Sequence, residues 1–206
     1  RLDHQSRTIL DQQASLHDLG LELQKLKTLF LTFPDLAKEF NSSLDRKELE
    51  ETMVRTVHQL FDAQVTAFFS AEDSHLQLKI HKGLSLDQAR QLQQIPIGVG
   101  QIGWVAKKQI TMTAQDLKEE SGLVRKKLQQ EESGILSIDV CAPLIRRGRL
   151  FGVRAVAGIS QKKDLAKPLM TVIAGLGVVA MENIFLITEI QKQSDQDSLT
   201  QLYNAN

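Results

Sequence analysis

Two pairs of alternating segments, each pair joined by a short polar turn, most constrain what this chain can fold into. In HLQLKIH (75–81), Leu76, Leu78 and Ile80 point one way and Gln77 and Lys79 the other, the period of a strand with one buried face. QVTAFFS (64–70) sets Val65, Ala67 and Phe69 against Thr66, Phe68 and Ser70, and the intervening AEDS predicts a hairpin. Farther along, SIDVCAPLI (137–145) and LFGVRAVAG (150–158) flank RRGR (146–149), a second hairpin. Hairpins join antiparallel neighbours, whereas parallel strands need long crossovers. An antiparallel sheet in an α+β fold is the expectation.

Helical patterns surround these strands. Leu2, Ile9, Leu16, Leu23 and Phe30 recur every seven residues, and Leu19, Leu26 and Phe33 follow three later. This is a heptad seam of the kind two helices use to supercoil. Gln5 and Gln12 occupy its early d positions, so the seam is firm from about residue 16 to residue 33. Pro34 is expected to end or kink that helix. A second helix, capped by Ser43 or Asp45, carries the stripe Leu49, Met53, Val57, Leu60 and Phe61. Short helices are expected at 84–95, from about Trp104, and at 123–130. One long helix is expected from about Lys163 to about Gln196.

The stretch IGVGQIGWV (97–105) spaces Gly98, Gly100 and Gly103 as G-x-G-x-x-G. A dinucleotide site also needs a buried strand before the glycines and an acidic residue about 20 positions on. Here a polar, Gln-rich helix precedes them, and Asp116 and Glu119 come too early. The glycines instead suit a sharp turn ahead of the helix near Trp104.

Composition excludes several functions. Lys+Arg and Asp+Glu number 25 each, so no global field draws nucleic acid or an anionic membrane, and neither partner is expected. The single cysteine, Cys141, supports neither an internal disulfide nor a cysteine metal site, and a cytoplasmic location is expected. His75 and His81, roughly 20 Å apart in an extended strand, cannot share one metal ion. No metal or cofactor is expected. The most apolar run, 169–181, has 13 residues, short of the roughly 18 a bilayer needs, and reads as a helix buried in protein.

Several segments together resemble the GAF domain family. GVGQIGWVAKKQITMTAQD resembles its Gly-x-x-Gly-Trp-Val stretch followed by a short strand and an Asp. SIDVCAPLIRRGRLFGVRAVAG is similar to its signature hairpin, and LAKEFNSSLDRKELEETMVRTVHQLFDAQVTAFFS to its opening helices and first strand. The resemblance spans about 36–190. It implies an antiparallel sheet of five or six strands, helices packed on one face and a small-molecule pocket on the other, flanked by long N- and C-terminal helices. The end of the chain, DSLTQLYNAN, is similar to the D-x-L-T-x-L-x-N opening of a GGDEF (diguanylate cyclase) domain: Asp197, Leu199, Thr200, Leu202 and Asn204 match, while Ala205 and Asn206 replace two arginines common there. The chain starts at Arg1 and stops in mid-pattern, so it reads as a piece of a longer protein: a leading helix (1–34), a GAF domain (36–190), and a linker end with the start of a GGDEF domain (191–206). No Gly-Gly-Asp/Glu-Glu-Phe sequence is present, and no enzymatic activity is expected of this segment.

These resemblances imply a regulatory module that homodimerises, binds an unidentified small molecule and controls cyclic di-GMP synthesis by the domain that follows. The alternative is a purely structural dimerisation module that binds nothing. In the exit helix Leu169, Val172, Leu176, Val179, Leu186 and Ile190 occupy a and d positions of one heptad frame, with Asn183 at an a position. Ile173, Ala180 and Ile187 form a second stripe. The expected dimer interface is Leu16, Leu19, Leu23, Leu26 and Phe30 in the leading helix, with Leu176, Val179, Asn183, Leu186 and Ile190 in the exit helix. Phe68, Trp104, Asp116 and Arg154 are the pocket candidates. Arg154 interrupts the apolar strand GVRAVAG. It reaches solvent, pairs with an acid such as Asp139, or binds an anionic ligand. The several cysteines of GAF-type methionine sulfoxide reductases are absent. So is the Asn-Lys and Phe-x-x-x-Asp-Glu signature of cyclic-nucleotide GAF domains.

Overall fold

The computed structural model describes residues 16, 19–21, 23–24, 27–28, 30–43, 45–122 and 135–203, with side chains described as far as residue 192. Two compact units are present, residues 1–38 and 39–206. The first is helical wherever it is described. Leu16, Leu19, Leu23 and Phe30 are exposed on it, while Leu2, Ile9 and Leu26 of the expected seam lie outside the described residues. The helix does not end at Pro34 but runs on through residue 40. A proline removes one ladder bond and crowds the preceding turn without forcing the chain out of the helix.

The second unit is a six-stranded antiparallel sheet between helices. Helix α1 (Arg46–Phe61) is capped by Asp45, whose Oδ1 accepts from the Glu48 N–H at 2.9 Å. Strands β1 (Ala63–Glu72) and β2 (His75–Lys82) form the first expected hairpin, with Glu72 opposite His75. Next come α2 (Leu86–Gln91), β3 (Gln94–Pro96), α3 (Gly100–Lys108), β4 (Met112–Thr113) and α4 (Ala114–Glu119). The expected helix over 84–95 is therefore shorter, because Ile95 pairs opposite Leu76 as a strand residue. The short helix expected at 123–130 lies outside the described residues. Strands β5 (Val140–Arg146) and β6 (Arg149–Ile159) form the second hairpin. Its two turn residues, Arg147 and Gly148, have φ of 50° and 76°, the signs that a tight hairpin turn matching strand twist requires. The exit helix α5 (Ala166–Tyr203) follows. The strand order is β3-β2-β1-β6-β5-β4.

The faces of the sheet differ in chemistry. A Cβ added to Gly177 of α5 would touch Met53 of α1 and Leu144 of β5, so α1 and α5 cover the face bearing Leu144. Register puts Gly152 opposite Leu144, and Arg154 opposite both Ala142 and Phe68, on that same face. On the second face Ala67, Phe69, Leu76, Cys141, Val153 and Ala155 pack with Leu92, Ile95, Ile102, Val105, Ala106, Met112 and Leu117 in one apolar cluster. The short helices α2–α4 thus supply a third layer, beyond the helices expected on one face.

The glycine triplet is explained by backbone. Gly98 and Gly100 have φ of 92° and 62°, which only glycine adopts readily. Gly103 lies inside α3 against β3, and a Cβ there would sit 2.3 Å from the Pro96 carbonyl oxygen. Gly103→Ala should therefore lower stability by about 1–3 kcal/mol, since backbone must shift to make room. Urea unfolding measures this, and an unchanged midpoint would contradict the packing described.

Candidate functional site

Phe68 and Arg154 face each other across β1 and β6, both fully buried beneath α1 and α5. The Arg154 guanidinium carbon lies 5.8 Å from the Phe68 ring centroid. Its Nε, Nη1 and Nη2 have no hydrogen-bond partner among the described residues. Neither the solvent-reaching nor the Asp139-paired arrangement occurs. Asp139 accepts from the Ile159 N–H at 2.8 Å and lies 3.8 Å from the Lys163 ammonium. The charge that favours Arg154 is Glu50, whose Oε1 is already held by Arg46 Nε at 2.8 Å. Burial pushes the Arg154 guanidinium down to about 9, and Glu50 opposes this. The aromatic face of Phe68 supplies part of what water would have given.

Trp104 and Asp116 lie elsewhere and do not converge with that pair. Trp104, in α3, is half-buried and donates from Nε1 to Glu120 Oε1 at 3.1 Å. The Lys107 and Lys108 ammoniums lie 5.5 and 5.0 Å from its ring centroid. Asp116 closes a capping box at the start of α4: Oδ2 accepts from the Thr113 N–H and hydroxyl at 2.7 and 2.8 Å. Both its oxygens also accept from Lys167 of α5 at 2.9 Å. Partial burial works against its ionisation, but the Lys167 ammonium and the Thr113 donors outweigh that and hold the carboxyl below its ordinary value. Asp116 therefore ties α4 to α5 and caps a helix. His58 is also engaged, with Nδ1 3.3 Å from Thr66 Oγ1. Among the described residues no group of three or more His, Cys, Asp or Glu is placed to hold a metal.

The exit helix is buried along one side and carries exposed apolar residues toward its C-terminal end. Ala166, Leu169, Met170, Ile173, Ala174, Val178, Ala180, Met181 and Ile184 are buried, so the expected heptad member Leu169 belongs to the core. At about 100° per residue, Val172, Leu176, Val179, Asn183, Leu186 and Ile190 share the side turned away from the sheet. Leu176 and Val179 are half-buried, while Leu186 and Ile190 are 51% and 65% exposed. Asn183 is exposed and its Nδ2 donates to Asn41 Oδ1 at 3.4 Å. The segment 163–192 is long and apolar enough to cross a membrane by length and composition, but its apolar residues also supply the packing just described.

One group of residues was not singled out by sequence reasoning. Arg146, Arg147 and Arg149 of the β5–β6 turn line a cleft with Phe185 and Lys192 of α5. Three arginines within four residues was the available signal. Reading RRGR only as a turn concealed it, because the pattern does not say what the turn faces.

The GAF domain family matches residues 45–176. Among solved structures, a methyl-accepting chemotaxis protein (its residues 122 to 287) aligns at a TM-score of 0.57 and 16% identity, over 74% of this chain and 98% of that one. Free methionine-R-sulfoxide reductase from Neisseria meningitidis aligns at 0.59 and 18%, over 75% and 89%. The GAF domain of an Acinetobacter phosphoenolpyruvate-protein phosphotransferase aligns at 0.52 and 17%, over 75% and 95%. At such identities the likeness is one of fold. No curated protein matches this chain.

The buried arginine yields a direct test. Arg154→Met keeps the volume and removes an unpaired charge, so it should raise stability at pH 7 by about 1–4 kcal/mol. The folded chain holds the Arg154 proton less tightly than the unfolded chain does, so the native protein gains stability as pH climbs past about 9. The advantage of the variant should shrink there. Urea unfolding at pH 7 and pH 10 reads both effects, and a variant less stable at pH 7 would contradict the unpaired state.

Proposed function

This chain belongs to the GAF domain family, and on that premise we propose that it is the regulatory module of a bacterial, cytoplasmic signalling protein of the diguanylate cyclase type. In this reading two copies pair side by side, and the exit helices pass a change in the module to the cyclase domains that follow. The observation that carries the reading is the division of α5 into a side buried on the sheet and an opposite heptad stripe, half-buried at Val172, Leu176 and Val179 and exposed at Leu186 and Ile190. A cyclase of this kind joins two nucleotides held by two facing subunits, so the spacing of its subunits is a natural point of control. The resemblance of DSLTQLYNAN to a GGDEF opening supports the identity of the output. The helix, 38 residues long, would extend roughly 57 Å at 1.5 Å per residue. That is long enough to carry a rotation well beyond the sheet.

A second reading, a dimerisation module with no ligand, is favoured by the second face of the sheet. Phe69, Leu76, Ile95, Ile102, Val105 and Met112 are buried in its apolar cluster, and close-packed side chains leave little room for a guest. A thermal-shift screen of small metabolites separates the two readings, since a ligand that prefers the folded state raises its melting temperature.

The relay is tested in the full-length protein. One residue inserted after Ile190 turns everything beyond it by about 100° relative to the module. Basal cyclase activity or its regulation should change sharply. Activity and regulation identical to those of the parent protein would overturn the relay.

A further inference from the structure

The cleft between the β5–β6 turn and the exit helix has a volume of about 580 Å³, within the range of small-ligand sites. Its cations come from three elements: Arg46 of α1, Arg146, Arg147 and Arg149 at the turn, and Lys192 of α5. Glu182 and Glu189 are its carboxylates. Glu182 is occupied twice, by Arg146 Nε and, at 3.6 Å, by Arg147 Nη1. Glu189 is taken by Lys192 at 3.7 Å, and Arg46 by Glu50 from outside the cleft. Arg149 has no carboxylate within ion-pair distance among the described residues. Its guanidinium carbon sits 5.3 Å from the Phe151 ring centroid. Among the described residues, with Glu50 counted, five cations face three carboxylates, so the cleft retains excess positive charge where an anion would be attracted.

Its apolar part is equally definite. The β5–β6 register passes from Leu144 opposite Gly152 to Ile145 opposite Leu150, which leaves Phe151 as an extra residue. Such bulges re-aim side chains, and here Leu150 and Phe151 both line the cleft. Met181, Ile184 and Phe185 of α5 complete it, and Phe185 is 62% exposed. Aromatic rings beside guanidinium groups suit a ligand with an anionic head and a flat apolar body.

We infer that this cleft binds a small soluble ligand that joins a phosphate-type anionic head to an apolar or aromatic body. The arginines of the turn take the head, and Phe151 and Phe185 take the body. At about 100° per residue, Met181, Ile184, Phe185 and Lys192 lie on the side of α5 opposite the Leu176, Val179, Leu186 and Ile190 stripe, while Glu189, which also lines the cleft, lies toward the stripe. Ligand and partner helix can therefore be engaged together, and an anion drawing Lys192 toward Arg147 and Arg149 would pull the exit helix toward the sheet. The consequence for signalling rests on the regulatory reading. Binding does not, and it is measured on this chain alone, so failure here leaves the relay to be judged by its own insertion test.

Phenyl phosphate is the probe, with phenol and inorganic phosphate as its two halves, in titration calorimetry and thermal shift. Phenyl phosphate should bind and raise the melting temperature more than either half does, and more weakly as salt is added. The double variant Arg147→Gln/Arg149→Gln should lose roughly tenfold or more in affinity. Lys167→Gln, which removes a cation elsewhere, should retain it. Silence of phenyl phosphate at millimolar concentration overturns the inference, as does equal affinity in the double variant. Arginine-dependent attachment to phosphatidylglycerol vesicles without any response to phenyl phosphate also overturns it, because the anion would then be a lipid surface.

Discussion

Burial of one side of the exit helix against the sheet is the constraint from which the other features follow. Met170, Ile173, Ala174, Val178 and Met181 are all buried, and Gly177 allows α5 to approach Met53 and Leu144 closely. A helix seated this way cannot turn by one residue, about 100°, without moving Asn183 or Glu182 toward the core. Its buried side thus determines which residues face away from the sheet. The stripe through Leu176, Val179, Leu186 and Ile190 faces outward because its opposite side is already committed.

The two faces of the sheet suggest a division of labour. Beneath α2–α4 the packing is apolar throughout Phe69, Leu76, Ile102, Val105 and Val153, the condition for a well-ordered, close-packed layer. Beneath α1 and α5 the same sheet presents Thr66, Ser70 and Arg154, all buried. Polar groups there hold a helix less firmly than hydrocarbon would, because each must be matched or left at a cost. Arg154 is the sharpest case, with its three nitrogens unmatched among the described residues and its charge only partly offset by Phe68 and Glu50. The face beneath α1 and α5 is therefore the one that holds the buried polar groups, and it is also the one that carries the exit helix.

Much of this fold is legible in the residues themselves. Alternation in 64–70 and 75–81, and the RRGR turn, specify both hairpins and hence an antiparallel sheet. The short strands were harder to read. Ile95 ends a Gln-rich helical pattern, and only its pairing with Leu76 makes it a strand residue. Phe68 sits in a strand buried on both sides, so alternation alone gives no sign of which face is which. Phe68, Trp104 and Asp116 are pocket candidates by position in the pattern and Arg154 by its charge in an apolar strand, but only Phe68 and Arg154 meet, across β1 and β6, while Trp104 lies on α3 and Asp116 on α4. Side-chain partners across long separations, such as Lys167 with Asp116 or Asn183 with Asn41, leave no local signal at all.

The central claim is that a partner helix packs on the side of α5 opposite the sheet. Cysteine substitution one residue at a time over 183–192, followed by mild oxidation, measures it directly, because the native thiol of Cys141 is buried. The account predicts disulfide-linked dimers that peak at 183, 186 and 190 and fall away at 184, 185, 188 and 192. Maxima at that second set, or uniformly low cross-linking along the helix, would contradict it.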